Sequence, residues 1–258
     1  MEKRIVEKLI EWIKEYVKSA KADGIVIGMS GGKDSTIVGK LCAEALGKEN
    51  VYGLILPNGE MSDIDDAKRA CEVIGMKYSV INIDTAYNSI IENVKNNLNG
   101  KNLSDITTIN TAPRLRMTTL YAYAGSLNYL VVNTSNLSET MVGYSTKWGD
   151  NVGDLAPVAN FTKSEVCEIG LMFGLPKDLV EKIPSDGLSG KSDEEKLGFS
   201  YDELDEYIRT GKKGKNFAVI ERKHKIAGHK IKPIPKFENG ITNHFVLDQN
   251  EENCDVKC

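Results

Sequence analysis

The sequence lacks a surplus of positive charge: its 258 residues include 33 Lys and Arg against 37 Asp and Glu, a formal net charge of −4. This balance disfavours a nucleic-acid-binding protein, which normally carries a basic surface. Long apolar runs are also missing, since no stretch approaches the ~18 residues of a membrane span. The N-terminus is charged and amphipathic, without the continuous apolar core of a signal peptide. We therefore expect a cytoplasmic protein.

The five cysteines have no arrangement that indicates a metal site. Cys42, Cys71 and Cys167 are far apart in apolar surroundings, as expected of small buried side chains. Cys254 and Cys258 lie in a polar tail, and a zinc site there would need two further ligands at suitable spacing. No cysteine falls in a predicted strand-to-helix turn, where a nucleophile would be expected. We predict structural roles for the cysteines.

What is present is the composition of a globular protein, 41% hydrophobic and 27% charged, without internal repeats. The length is near the upper limit for one hydrophobic core. We therefore predict one domain over residues 1–258, with a tail of uncertain structure at 236–258.

Short apolar strands alternate with amphipathic helices along the first half of the chain. Strands are predicted at 24–29, 51–56, 78–83 and 129–132. Helices are predicted from Ile5 to Val17, from Ser35 to Leu46, from an N-cap at Ser62 to Ile74, and at 87–98, 113–127, 162–173, 201–209 and 215–226, with a mobile loop at 184–198. This alternation predicts an α/β fold, a doubly wound, mostly parallel sheet with helices on both faces. Ligands bind such sheets at the carboxyl ends of the strands.

A glycine-rich loop, Ser30-Gly31-Gly32-Lys33-Asp34-Ser35, joins the first predicted strand to a helix. This arrangement presents backbone N–H groups and the positive end of a helix to a phosphate, and glycine allows close approach because it lacks Cβ. The common P-loop requires Ser or Thr directly after Gly-Lys, but Asp34 intervenes here. Because a carboxylate beside polyphosphate is repulsive without a cation between them, Asp34 indicates bound Mg²⁺.

The loop resembles the signature of the ATP pyrophosphatases, PP-loop enzymes that cleave ATP between the α and β phosphates. That resemblance implies a Rossmann-like fold of the adenine nucleotide alpha hydrolase type. Further segments resemble, in order, those of the N-type, ammonia-dependent NAD synthetase family. They are 110–117, with two arginines before a methionine; the turn 133–139; 143–150, which matches Gly-Tyr-x-Thr-x-x-Gly-Asp; 154–157; Thr162-Lys163; and 183–188, where Asp186 replaces the usual Ala.

The resemblance implies a two-step reaction that is the last step of NAD biosynthesis. The carboxylate of deamido-NAD would attack the α-phosphorus of ATP, giving an adenylate and pyrophosphate. Ammonia would then displace AMP and yield NAD. Because the predicted ATP-binding strand begins at residue 24 and no second α/β domain follows, we expect no glutaminase domain, and ammonia that is free or delivered by a separate protein. The family also implies a homodimer with deamido-NAD at the subunit interface.

The resemblance further implies roles for individual residues. ATP would contact Gly28, Met29, Ser30, Gly31, Gly32, Lys33, Asp34, Ser35, Thr134, Lys163 and Ser185. Deamido-NAD would be bound by Arg114, Lys147, Asp154, His229 and Lys230, and Mg²⁺ by Asp34 and Glu139. The catalytic residues would be Asp34, Lys163 and Asp150, the last at the ammonia site.

Some assignments stay open at this point. A second His-Lys pair at His224 precedes His229, and Ile231 stands where the family has Arg, although two prolines after His229 favour the later pair. Arg114 and Arg116 point apart on a helix, so only one needs to face a ligand. A tRNA-thiolating or lysidine-forming ligase is the main alternative, disfavoured by the acidic balance and the cysteine positions. A nucleotide sensor without turnover is disfavoured by Asp34, Glu139 and Lys163 occurring together.

Overall fold

The structure is a computed structural model that describes residues 1–181 and 192–237. The strands of this part of the chain are β1 (Gly24–Gly28), β2 (Val51–Ile55), β3 (Lys77–Val80) and β4 (Tyr129–Val131). Its α-helices are α1 (Lys3–Ser19), α2 (Lys33–Leu46), α3 (Ile64–Ile74), α4 (Asp84–Asn96), α5 (Asp105–Leu127), α6 (Leu137–Val142), α7 (Lys163–Met172), α8 (Lys177–Val180), α9 (Asp193–Leu197), α10 (Tyr201–Thr210) and α11 (Phe217–Ile231).

The four strands form one parallel sheet in the order β3-β2-β1-β4. In the register, Ile25 lies opposite Val51 on one side and Leu130 on the other. Ile25, Val26 and Ile27 are fully buried, as expected of a central parallel strand covered on both faces. The predicted fold class is therefore confirmed.

Successive side chains of β1 supply two different cores because they point to opposite faces of the sheet. Ile25 and Ile27 pack in the larger core with α1, α2, α3 and α7. Val26 packs in the smaller core with residues of α5, such as Ala124. A third cluster joins α6, α9, α10 and α11 through Val142 and other side chains. Helix α6, the first element of this third cluster, follows β4 in the chain.

Several predicted helix boundaries are wrong. Helix α5 begins at Asp105 and not at Pro113, because the Ser104 hydroxyl accepts the N–H of Thr107 and starts the helix earlier, leaving Pro113 in its interior. The N-cap residue of α3 is Asp63 and not the predicted Ser62. Helix α2 begins at Lys33, two residues before the prediction, and α11 ends at Ile231, five residues after it.

The predicted loop at 184–198 is corrected where the structure describes it. Residues 193–197 form α9, because Ser192 and Glu195 make a capping box and Leu197 is buried in the third cluster. Residues 184–191 of that segment, and the tail from 238 onward, lie outside the described residues. Within the described ranges, no helix is both long enough and apolar enough to span a membrane.

Candidate active site

The glycine-rich loop closes on itself between the end of β1 and the start of α2. The hydroxyls of Ser30 and Ser35 lie 3.1 Å apart, and the Gly32 N–H donates to the Ser30 hydroxyl. The Ser35 hydroxyl also lies within hydrogen-bonding distance of the Gly32 carbonyl. Gly32 is the N-cap residue of α2, and no side chain caps this helix end. The first turn of α2 therefore presents N–H groups and a positive dipole end to an anion.

The two glycines of this loop have different structural roles. Gly31 has a φ of +78°, and a Cβ placed there would lie 2.6 Å from the carbonyl oxygen of Asp63. Gly32 has a φ of −86°, which any residue adopts, and a Cβ there would lie 3.2 Å from the Ser30 hydroxyl oxygen. Gly31 is therefore required by the fold, whereas Gly32 leaves room for a ligand close to the backbone.

We expect Gly31→Ala to lower the free energy of unfolding by about 1–3 kcal/mol, because alanine is strained at positive φ and meets the Asp63 carbonyl. Gly32→Ala should change it by less than about 0.5 kcal/mol and mainly weaken ATP binding. Urea unfolding and nucleotide titration measure the two effects. Equal stability of the two variants would contradict this division of roles.

Three charged side chains converge beside the loop. The Nζ of Lys163 lies 2.7 Å from an oxygen of Asp34 and 2.7 Å from an oxygen of Glu139. The amide of Asn136 donates to the other oxygen of Asp34 at 3.0 Å. The side chains of Lys163, Asp34 and Glu139 are 4%, 18% and 15% exposed, so their interactions are only weakly screened by solvent. Residues far apart in sequence thus form one charged cluster.

Burial and the attraction between opposite charges shift the pKa values of Glu139 and Lys163 in this cluster. Burial raises the pKa of Glu139 to about 7, against the opposing attraction of Lys163. Burial lowers the pKa of Lys163, but Asp34 and Glu139 outweigh that and raise it well above its usual value. Lys163 is therefore charged at neutral pH and balances part of the negative charge of its neighbours.

Capping boxes place two of these charges at helix starts. Asn136 and Glu139 cap α6 reciprocally, and Thr162 and Glu165 do the same for α7. Glu139 therefore lies in the first turn of α6, and Lys163 is the first residue of α7. The carboxylate of Glu139 is oriented by local backbone geometry, which explains how a short motif specifies its position.

A buried carboxylate from α10 fixes the start of α7. Asp205 accepts hydrogen bonds from the hydroxyl of Ser138 and from the N–H and hydroxyl of Ser164, the last two at 2.9 and 2.7 Å. The hydroxyl of Ser138 accepts the N–H of Lys163 at 3.0 Å. Asp205 thereby positions the backbone that carries the Lys163 ammonium group.

We expect Asp205→Ala to lower the free energy of unfolding by about 1–3 kcal/mol, because it leaves the hydroxyl of the buried Ser138 without its acceptor, whereas the exposed Ser164 can turn to water. Asp202→Ala, on an exposed position of the same helix, should cost less than about 1 kcal/mol. Urea unfolding of both variants tests this. A similar loss in both would contradict the role given to Asp205.

A second group of predicted residues surrounds the loop from 143 to 151. Arg114, on α5, donates from Nε to the carbonyl of Lys147 at 3.2 Å, and the Nζ of Lys147 lies 5.4 Å from the ring centroid of Trp148. Lys230, on α11, donates to the carbonyls of Gly143 and Ser145. The structure thus brings Arg114, Lys147 and Lys230 to one loop that α5 and α11 contact from two directions.

The family model of NAD synthase matches residues 5–240. The chain belongs to the NAD synthase family. The NH(3)-dependent NAD(+) synthetase of Pyrococcus horikoshii is 47% identical over 203 residues, which cover 78% of this chain and 77% of that protein. That of Finegoldia magna is 38% identical over 243 residues, which cover 93% and 98%. The solved NMN synthetase from Francisella tularensis superposes with a TM-score of 0.82 at 32% identity, covering 94% of this chain and 98% of that one.

The remaining residues expected from the NAD synthase family differ in their contacts: Asp154 and Asp150 accept hydrogen bonds from the protein, whereas His229 is exposed. Both carboxylate oxygens of Asp154 accept protein donors, the N–H of Val131 at 2.7 Å and the hydroxyl of Tyr121 at 3.2 Å. An oxygen of Asp150 accepts the Thr146 N–H at 2.5 Å. His229 is exposed on α11, where its Nδ1 lies 2.8 Å from the Ile226 carbonyl.

Other expected positions sit around the sheet edge. Gly28 ends β1 and Met29 follows it directly, and Thr134 follows β4 at the same edge of the sheet. Arg116 turns away from Arg114 and donates to the carbonyl of Leu56, so the prediction that the two arginines point apart is confirmed. Ser185 lies outside the described residues.

Reasoning from sequence missed several residues of this site. Asn136 could have been found from the sequence, because it is the first residue of the capping box that ends at Glu139. No local sequence pattern indicates Asp205 or Tyr201, because these residues of α10 approach Lys163 only in the tertiary fold. The Nζ of Lys163 lies 4.9 Å from the Tyr201 ring centroid.

Proposed function

We propose that this chain is an NH₃-dependent NAD synthetase that converts deamido-NAD, ATP and ammonia into NAD, AMP and pyrophosphate. The observation that carries the proposal is the convergence of Asp34, Glu139 and Lys163 beside the loop at the start of α2. Membership of the NAD synthase family and the names of the relatives support the same reaction. The loop binds the phosphates of ATP, and the charged cluster acts where pyrophosphate separates from the α-phosphate.

The donor set of this cluster fits Mg²⁺. Within the described ranges, no group of three or more His, Cys, Asp or Glu side chains could hold a metal ion by itself. Mg²⁺ commonly uses only one or two carboxylates and completes its shell with phosphate oxygens and water. Asp34 and Glu139 would hold it, and the ion would neutralise charge on the departing pyrophosphate.

Each remaining protein group has a defined task in this proposal. The N–H groups of the loop orient the phosphates, and Lys163 donates to an oxygen whose negative charge grows as the bond between the α- and β-phosphates breaks. Arg114, Lys147, His229 and Lys230 bind deamido-NAD, and Asp154 supports that site by holding β4. Ser185 and Thr134 contact ATP, and Asp150 accepts a proton or a hydrogen bond from the incoming ammonia. In-line positioning of the two substrates and electrostatic stabilisation together supply most of the rate enhancement in such transfers.

We further propose that two copies associate through α4 and α5, with deamido-NAD at their interface. Helix α4 contains no buried residue, although it carries Ile90 and Val94. Next to it on α5, Ile106 and Ile109 are 71% and 62% exposed. Apolar side chains concentrated on neighbouring helices are typical of a subunit interface. Because it consumes ATP and carries free thiols, we propose that the chain works in the cytoplasm.

We expect Ile109→Glu to convert the dimer into a monomer, because it places a charge within the apolar face of α4 and α5. Ile234→Glu is the matched control, since Ile234 is also 62% exposed but lies after α11. Light scattering after size-exclusion chromatography measures both masses. A wild-type chain that is monomeric, or an Ile109→Glu variant that stays dimeric, would contradict the proposed interface.

The similarity to an NMN synthetase makes a mononucleotide the competing substrate. The purified chain should be given ATP, Mg²⁺ and ammonium with either deamido-NAD or nicotinic acid mononucleotide. We expect the larger kcat/KM with deamido-NAD, and little product when glutamine replaces ammonium. Preference for the mononucleotide would move the assignment to NMN synthesis, and efficient use of glutamine would contradict ammonia as the nitrogen source.

A further inference from the structure

The ammonium group of Lys163 lies where a divalent cation would bind the two carboxylates. Its Nζ is 2.7 Å from an oxygen of Asp34 and 2.7 Å from an oxygen of Glu139, so one cation already bridges the pair. The backbone holds this lysine in place, because the N–H of Lys163 donates to Ser138 and Asp205 fixes the neighbouring residue. The carboxylates that would hold Mg²⁺ are therefore already neutralised in part by the protein.

We propose that Lys163 competes with the metal ion for Asp34 and Glu139. Mg²⁺ then binds tightly only when a nucleotide is present, because the phosphates of the nucleotide bind the ammonium group of the lysine in place of the carboxylates. This proposal rests on the proposed function, in which Asp34 and Glu139 hold Mg²⁺. It adds that nucleotide is needed before Mg²⁺ binds tightly to this pair. It makes Lys163 a resident counter-ion that keeps the carboxylates paired until ATP arrives, and then becomes a ligand of the phosphates.

Charge explains why the two cations exclude each other without nucleotide. Both carboxyl groups contact the Nζ of Lys163, and a metal ion on the same oxygens would place three positive charges against at most two negative ones in a weakly screened site. The polyphosphate of ATP reverses this balance, because it offers negative oxygens to the ammonium group and to the metal together. Nucleotide and metal should therefore bind with positive coupling.

Tyr201 provides a surface on which the displaced ammonium group stays close to the site. Its ring centroid lies 4.9 Å from the Nζ, within the range of a cation–π contact. The tyrosine side chain is buried, and its hydroxyl has no hydrogen-bond partner among the described residues. A short rotation of the lysine can therefore exchange carboxylate contacts for phosphate contacts without moving the charge into solvent.

The test measures Mn²⁺ binding by electron paramagnetic resonance, with Mn²⁺ as a probe because oxygen sites for Mg²⁺ accept it. We expect α,β-methylene-ATP to tighten Mn²⁺ binding to the wild-type chain about tenfold or more. Without nucleotide, Lys163→Met should bind Mn²⁺ about tenfold or more tightly than the wild type, because the carboxylates are released. Lys163→Arg keeps the charge and should behave like the wild type.

Two further measurements separate the competing explanations. In Lys163→Met, adding Asp34→Asn should abolish the gained Mn²⁺ affinity if the ion binds the proposed pair. If Lys163→Met does not fold, thermal unfolding of the wild type tests the competition instead. Mn²⁺ should raise the melting temperature of the wild type only when the nucleotide analogue is also present.

The inference is overturned if the wild type binds Mn²⁺ without nucleotide as tightly as Lys163→Met does, or as tightly as it does with nucleotide. These measurements use no deamido-NAD, so they are independent of the proposed reaction. A chain that forms no NAD but shows the expected Mn²⁺ behaviour would refute the proposed function alone. A chain that forms NAD but binds Mn²⁺ equally well in all states would refute the competition alone.

Discussion

Asp34→Asn is expected to lower kcat for NAD formation by about a thousandfold, equivalent to ~4 kcal/mol of transition-state stabilisation. The substitution keeps the shape of the side chain but removes the charge that contacts Lys163 at 2.7 Å and would hold Mg²⁺. Release of pyrophosphate builds negative charge beside this position, so the loss should fall on adenylate formation. Pyrophosphate release in a single turnover, measured without ammonia, isolates that step.

Asp65→Asn is the matched control for this prediction. Asp65 is exposed on α3, and it contacts Lys68 at 3.5 Å, outside the charged cluster. The control variant should keep kcat within about twofold, since exposed ion pairs contribute little. Circular dichroism should show that both variants are folded. Near-normal adenylate formation by Asp34→Asn would show that the assignment of this carboxylate to the metal and the phosphates is wrong.

Lys163→Met is expected to lower both activity and stability. Kcat should fall about a hundredfold or more, because the ammonium group that would contact the phosphates is gone. The free energy of unfolding should fall by about 3 kcal/mol, since two largely buried carboxylates lose their shared partner. Steady-state kinetics and urea unfolding without metal measure the two losses.

A second substitution distinguishes an ion-pair effect from simple loss of packing. In the Lys163→Met background, Glu139→Gln removes one of the two buried acidic groups that have lost their shared partner and should restore about 1 kcal/mol or more of stability. In the wild-type background the same Glu139→Gln change should be destabilising, because a neutral amide replaces the charged partner that Lys163 contacts at 2.7 Å. Additive losses in the double variant would contradict the view that these side chains act as one cluster.

The parts of this structure that were predictable from sequence depend on local patterns. The strand-loop-helix unit around Ser30 could be predicted because β-branched strands, glycine turns and helix starts each have a local signal. The same holds for α7, whose Thr162–Glu165 capping box is visible in sequence and present in the structure. Asp34 followed from the order of residues in the glycine-rich loop, and the role of Glu139 followed from the resemblance to the NAD synthetase family.

The parts that could not be predicted depend on tertiary contacts. The hydrogen bonds that join Asp205 to Ser138 and Ser164 cross 67 and 41 residues of sequence, and no periodicity encodes them. The sequence pattern predicts a start of helix α5 at Pro113, yet the Ser104 cap begins the helix earlier. Helix α9 was predicted as part of a loop because its few apolar residues gave too short a pattern, although Leu197 packs in the third cluster.

The central claim is that this chain makes NAD by cleaving ATP between its α and β phosphates. The direct measurement incubates the purified chain with ATP, Mg²⁺, deamido-NAD and ammonium, and quantifies NAD, AMP and ADP together by chromatography. We expect NAD and AMP to accumulate in equal amounts and no ADP to form. Formation of ADP in place of AMP, or consumption of ATP without NAD, would contradict it.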